Sequence, residues 1–169
     1  MFRTIVIYGL IAGFIVGVPM SVMTLSMSSQ TMMHYGMLIG YLTMLIGLSA
    51  VFLAIKRRRD IDLGGVIGFW PALGLGLGIS FVAGMIYVVC WDASCAIAHV
   101  DFAGSYARAM VAQQEAKGVS GAALAQFKVQ YANPFYRWPM TFAEMFPVGV
   151  IVSLVSAALL RNRRFMPAR

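Results

Sequence analysis

The sequence predicts an all-α integral membrane protein: a four-helix bundle with one or two amphipathic interfacial helices in the outer loop between helices three and four. Three observations predict it. Of 169 residues, 60% are hydrophobic and 11% charged, with a mean hydropathy of +0.81; ordinary soluble domains are about 45–50% apolar and about 25% charged. Four stretches are long enough to cross a bilayer, which takes about 20 apolar residues. Nine of the 13 basic residues (Arg3, Lys56 to Arg59, Arg161, Arg163, Arg164 and Arg169) flank those stretches. Together these exclude a soluble enzyme domain, a disordered chain and a nucleic-acid module. The net charge of +7 therefore reads as membrane topology, not as nucleic-acid binding.

The whole chain, 1–169, reads as one transmembrane domain. Helix one is expected over about 4–25. Arg3 before an apolar run resembles a secretion signal, but the run is too long and lacks a clear cleavage site, so it reads as a retained helix. Helix two is expected over about 35–55 and ends in Lys56-Arg57-Arg58-Arg59. Helix three is expected over about 66–91, and helix four over about 142–160, followed by the arginine-rich tail. Positive charge is retained on the cytoplasmic side during insertion. All three basic sites then fit one threading, with both termini cytoplasmic.

The outer segment, 92–140, has helical periodicity. Phe102, Tyr106 and Met110 share a face opposite Asp101, Ser105, Arg108 and Glu115. Beyond Gly118 and Gly121, Leu124, Phe127 and Tyr131 repeat the pattern until Asn133-Pro134 ends it. Phe135, Tyr136 and Trp138 read as an interfacial aromatic belt ahead of helix four. Cys90 and Cys95 read as two free thiols; a bridge requires the helix to end at Trp91.

Small residues recur at helical spacing: Gly9, Gly13 and Gly17; Gly36 and Gly40; Gly74 and Gly78 beside Gly76, Ser80 and Gly84; Gly149, Ser153 and Ala157. Such seams let helices approach closely in lipid. They serve packing within the bundle, or leave a surplus seam for a second copy or a partner subunit; Gly9, Gly13, Gly17, Gly74, Gly78 and Gly84 are the candidates. Pro19, deeper in its helix than Pro71 or Pro147, is the candidate hinge.

His34, Asp92, His99, Asp101, Arg137 and Glu144 map to the outer mouth, as a solvated rim or a site for protons or ions. Thr141-Phe-Ala-Glu144 has the spacing of a capping box, which would make Glu144 a helix cap; a salt bridge to Arg137 or proton chemistry are the alternatives. Met23, Met27 and Met33 with His34 have the donor types that suit Cu(I), although methionine is more often plain apolar filler. No cofactor is expected. Lys56, Arg57, Arg58, Arg59, Arg161, Arg163 and Arg164 are candidates for anionic lipid headgroups as well as topology signals. Asp60 and Asp62 beside four bases suggest an ion-pair network at the inner turn.

Several strings are more specific than hydropathy. They are Tyr35 to Tyr41 (YGMLIGY), Arg59 to Gly65 (RDIDLGG) running into Phe69-Trp-Pro-Ala72, and Asp101-Phe-Ala103. The end of the chain adds Tyr131 to Arg137, Thr141 to Glu144, Phe146 to Gly149, Ser153 to Asn162 and Arg164 to Arg169. Together they resemble the bacterial membrane proteins grouped as domain of unknown function 4199, over nearly the whole chain. The resemblance implies a four-span inner-membrane protein and transfers no activity or catalytic residue. The leading expectation is a non-enzymatic accessory or scaffold protein, a homo-oligomer or part of a larger membrane complex, in contact with lipid and not with nucleic acid. The alternatives are an oligomeric permeation unit for ions, protons or lipid and, more weakly, Cu(I) handling.

Overall fold

The computed structural model describes residues 1–26, 29–97, 108, 111–112, 114–116, 118, 121, 125–126, 129–130 and 133–167, apart from the side chains of 29–34 and 37. Four helices are long and apolar enough to span a membrane. They are α1 (Phe2–Ser26), α2 (Ser29–Arg57), α3 (Phe69–Ile97) and α4 (Pro134–Leu160). A π-helical turn, Arg58–Asp62, follows α2. The chain is a multi-pass membrane protein.

α1 matches its expected bounds within two residues. The other three run further, for local reasons. α2 begins before the apolar run, at Ser29. It closes in the π turn, where the Gly65 amide donates to the Arg59 carbonyl at 2.8 Å. Gly64 and Gly65 have φ of +62° and +90°, left-handed values that favour glycine and stop the helix. α3 starts at Phe69, with Pro71 in its first turn, where a missing amide hydrogen costs little. It continues through Ile97, so Trp91, Asp92 and Cys95 are helical. On that continuous helix Cys90 and Cys95 are both free.

α4 departs most from expectation. It begins eight residues early because Asn133-Pro134 is a start signal, not an end. The Asn133 side-chain oxygen accepts from the Phe135 amide at 3.0 Å, and Pro134 occupies the first turn. Phe135, Tyr136 and Trp138 therefore lie on the first turns of α4, not before it. Thr141 is a buried residue about two turns inside the helix, so the capping box at Thr141–Glu144 does not exist. The link between α3 and α4 narrows to 98–133. Most of the two amphipathic helices expected there lies outside the described residues.

α3 packs against both α1 and α4, and α2 packs against α1 and α4. α1 and α3 run parallel in a fixed register. Gly9, Gly13 and Gly17 leave room for Val82, Ile86 and Cys90, every fourth residue on each helix, and Gly78 leaves room for Ile5. A Cβ on Gly9 or Gly13 would lie 2.6 Å from a side chain of α3. α3 and α4 run antiparallel. A Cβ on Gly76 would meet Ser153 at 2.8 Å, and one on Gly149 would meet Ser80 at 2.6 Å. Glycine of each helix thus receives serine of the other. The two buried hydroxyls lie 3.3 Å apart, and Ser153 donates to the Gly149 carbonyl at 2.7 Å. Gly47 admits Val16 between α1 and α2. Leu48, Val51, Leu75, Ile79, Met145 and Leu160 complete the core.

Gly76→Leu or Gly149→Leu is expected to force α3 and α4 apart and to destabilise by about 1–3 kcal/mol, the usual cost of overpacking. Gly74→Leu is expected to be silent, since nothing lies within 4 Å of a Cβ there. Thermal denaturation of the purified protein in detergent checks this; equal losses at Gly74 and Gly76 would contradict the interlock.

Candidate functional site

The antiparallel and parallel registers bring eight basic residues to one end of the bundle: Arg3 at the start of α1, Lys56 and Arg57 in the last turn of α2, Arg58 and Arg59 in the π turn, and Arg161, Arg163 and Arg164 after α4. There the π turn buries Arg59 to 1% exposure. Its Nε donates to Asp60 at 2.6 Å. Its Nη1 donates to the Phe165 carbonyl at 2.9 Å and to the Leu160 carbonyl at 3.5 Å, and its Nη2 to the Met166 carbonyl. Four of the five guanidinium donors are thereby engaged. Arg59 caps the end of α4 and clamps the chain beyond it. Lys56 reaches the other Asp60 oxygen at 2.6 Å, and Arg58 lies 3.6 Å from Asp62. Arg57 donates to the Tyr8 hydroxyl at 3.5 Å. Arg161, Arg163 and Arg164 are exposed.

At the opposite end, Asp92 on the last turns of α3 accepts from Nη2 of Arg137 on the first turn of α4. This pair continues the register set by the serine interlock: 76 faces 153, 80 faces 149, and 92 faces 137. Arg137 is buried, Asp92 is about one-third exposed, and the buried Arg137 Nε has no hydrogen-bond partner among the described residues. Of the expected outer rim the structure brings together Asp92 and Arg137 alone. Asp101 and His99 lie outside the described residues, as does the side chain of His34. Arg137 is paired with Asp92, not with Glu144.

Glu144 instead lies about 10 Å along α4 from Arg137. It shares the exposed outer face with Met140, Pro147, Ile151 and Val155. Counted back from Arg161 at about 1.5 Å per residue, a hydrocarbon core of about 30 Å ends near Thr141. Glu144 thus stands about one turn inside it. Pro139 and Pro147 lie on either side within the helix. Neither has an amide hydrogen to donate one turn back, to Phe135 and Ala143 respectively.

The candidate packing glycines divide. Gly9, Gly13, Gly17, Gly78 and Gly84 all face a neighbour within the chain, Gly84 against Phe142. Gly74 is exposed and open, as is the Cβ position of Gly40. Sequence reasoning missed Gly47, which carries the α1–α2 contact, because its small neighbour at four-residue spacing is Thr43 and not another glycine. Pro19 interrupts α1 two residues beyond the Gly17–Cys90 contact. Ser21 and Thr24 donate back to the Gly17 and Met20 carbonyls at 2.9 Å. Met23 is buried in α1, whereas Met27 and the side chains of Met33 and His34 lie outside the described residues. Among the described residues no group of three or more His, Cys, Asp or Glu side chains could hold a metal.

Asp92→Asn and Arg137→Gln are each expected to destabilise by about 2 kcal/mol, since each strands a largely buried partner. Asp92→Asn combined with Arg137→Gln should cost less than the two single losses added together. A double-mutant cycle on detergent-solubilised protein reads this; strict additivity would show that the pair does not couple the helices.

No curated protein and no solved structure matches the chain. Residues 7–162, from the first turns of α1 to just past the end of α4, match the family described as protein of unknown function (DUF4199), and the chain belongs to that family.

Proposed function

We propose that this is a non-enzymatic accessory or scaffold protein of the bacterial inner membrane, both termini cytoplasmic, joined to a partner or to a second copy by helix–helix contact. The clustering of Arg3, Lys56 to Arg59, Arg161, Arg163 and Arg164 at one end supports the orientation, because Lys and Arg are retained on the cytoplasmic side. One observation carries the association: Glu144 on the outward face of α4, inside the apolar zone. An ionisable side chain facing hydrocarbon is costly. A neighbouring helix that supplies a hydrogen-bond donor relieves that cost, for about 1–2 kcal/mol. Apart from the open Gly74, the glycine seams of α1 and α3 are occupied within the bundle, which favours the α4 face as the assembly surface.

Native mass spectrometry of protein gently extracted from its own membrane tests this. Wild type is expected to retain a second polypeptide or a second copy, Glu144→Leu to lose it, and Glu144→Gln to weaken it. A monomer without a partner in wild type, or the same complex in all three, would overturn the reading.

A second reading, an oligomeric permeation unit for protons or ions, is favoured by the placement of Glu144 between Pro139 and Pro147. Broken helices beside an acidic group are a feature of transport sites. Here Glu144→Gln in proteoliposomes should reduce proton flux at least tenfold while the protein stays folded; unchanged flux would remove this reading.

A further inference from the structure

We propose that the arginine turn after α4, formed by Arg161, Arg163 and Arg164, is a binding site for the phosphate group of an anionic phospholipid. The inference stands apart from the role of Glu144.

The two basic clusters differ in what the fold does with them. In the first, Lys56 and Arg59 share Asp60, Arg58 lies beside Asp62, and Arg57 reaches Tyr8. Asp60 and Asp62 are the acids at this end of the bundle, and both are engaged by that cluster. Arg161, Arg163 and Arg164 pair with no carboxylate among the described residues, and all three are exposed. A helix C-terminus ordinarily offers its own carbonyls to such bases. Arg59 takes the Leu160, Phe165 and Met166 carbonyls instead. Among the described residues the tail arginines are thus left with neither an acidic partner nor those carbonyls.

They are also held in place. The Arg161 amide donates to Ala157 and the Asn162 amide to Leu159, each at 3.1 Å. The Arg164 amide donates to the Asn162 side chain at 3.0 Å. Phe165 packs edge-on against Phe52, ring centres 6.5 Å apart, and so anchors the turn to the core. Three guanidiniums are presented from a fixed turn, and a guanidinium matches phosphate oxygens in a bidentate geometry. Their depth is right for a headgroup. Extended from Gly76 opposite Ser153, the antiparallel register sets Arg161 level with Gly68. That is just below Trp70, which is 77% exposed. Tryptophan at that position marks the membrane–water interface.

The test is native mass spectrometry of the full chain in micelles holding equal amounts of phosphatidylglycerol and phosphatidylcholine. Wild type is expected to retain phosphatidylglycerol preferentially. Each Arg→Gln change in the turn should weaken that retention about fivefold, and R161Q/R163Q/R164Q should abolish the preference. Lys replacements should keep most of it, and K56Q/R58Q should leave it unchanged. If the triple variant fails to fold, R163Q alone decides: an unchanged preference overturns the site. Loss in K56Q/R58Q with retention in the tail variants would also overturn it. Displacement of the lipid by millimolar inorganic phosphate would show a free-phosphate site and overturn the assignment to lipid.

Discussion

The close approach of α3 to α1 on one side and to α4 on the other is the constraint on which the bundle rests. Lipid supplies no hydrophobic force between helices, so contact must come from fit. α3 achieves it twice, in two ways. Against α1 the glycines belong to α1 and the larger side chains Val82, Ile86 and Cys90 to α3. Against α4 the exchange is reciprocal, Gly76 with Ser153 and Ser80 with Gly149. A four-residue step on one helix meets a four-residue step on the other. The helices cannot slide without driving a side chain into a backbone.

The polar ends extend that register. From the serine pair to Asp92 and Arg137 is about 18 Å along the helices, and the residue correspondence does not drift. At the other end Arg59 performs a different task. It ties the close of α2 to the close of α4, two helices whose apolar contact is smaller than that of α3 with either neighbour. A charge deep in a membrane protein is costly unless its donors are satisfied. Here main-chain carbonyls and Asp60 satisfy it.

Much of this was legible in the sequence. The four spans follow from apolar length alone. The small-residue spacing of helices one, three and four identified the seams but not their partners. A glycine reports that something comes close, not what does. Gly47 has Thr43 and no glycine at four-residue spacing and was passed over, while Gly40 repeats with Gly36 yet has nothing among the described residues within 4 Å of its Cβ position. The start of α4 was misread because Asn-Pro serves equally as a stop and as a start. Burial of Arg59 was not legible, since four consecutive bases look alike until a π turn rotates one inward. The placement of Glu144 on an outer face is likewise a matter of helix phase, set by where α4 begins.

The Arg59 clamp bears on how the protein is made. Its carbonyl acceptors lie 101 to 107 residues downstream. A ribosome delivers the arginine long before it delivers those acceptors. During that interval α1 and α2 stand as a hairpin whose most demanding cation has Asp60 alone. The clamp closes only once Phe165 and Met166 have been made, so a chain cut short before Phe165 has all four spans and an Arg59 without those two acceptors. Because the acceptors are backbone oxygens, the identities of residues 165 and 166 are free to vary in this role while the path of the chain through them is not.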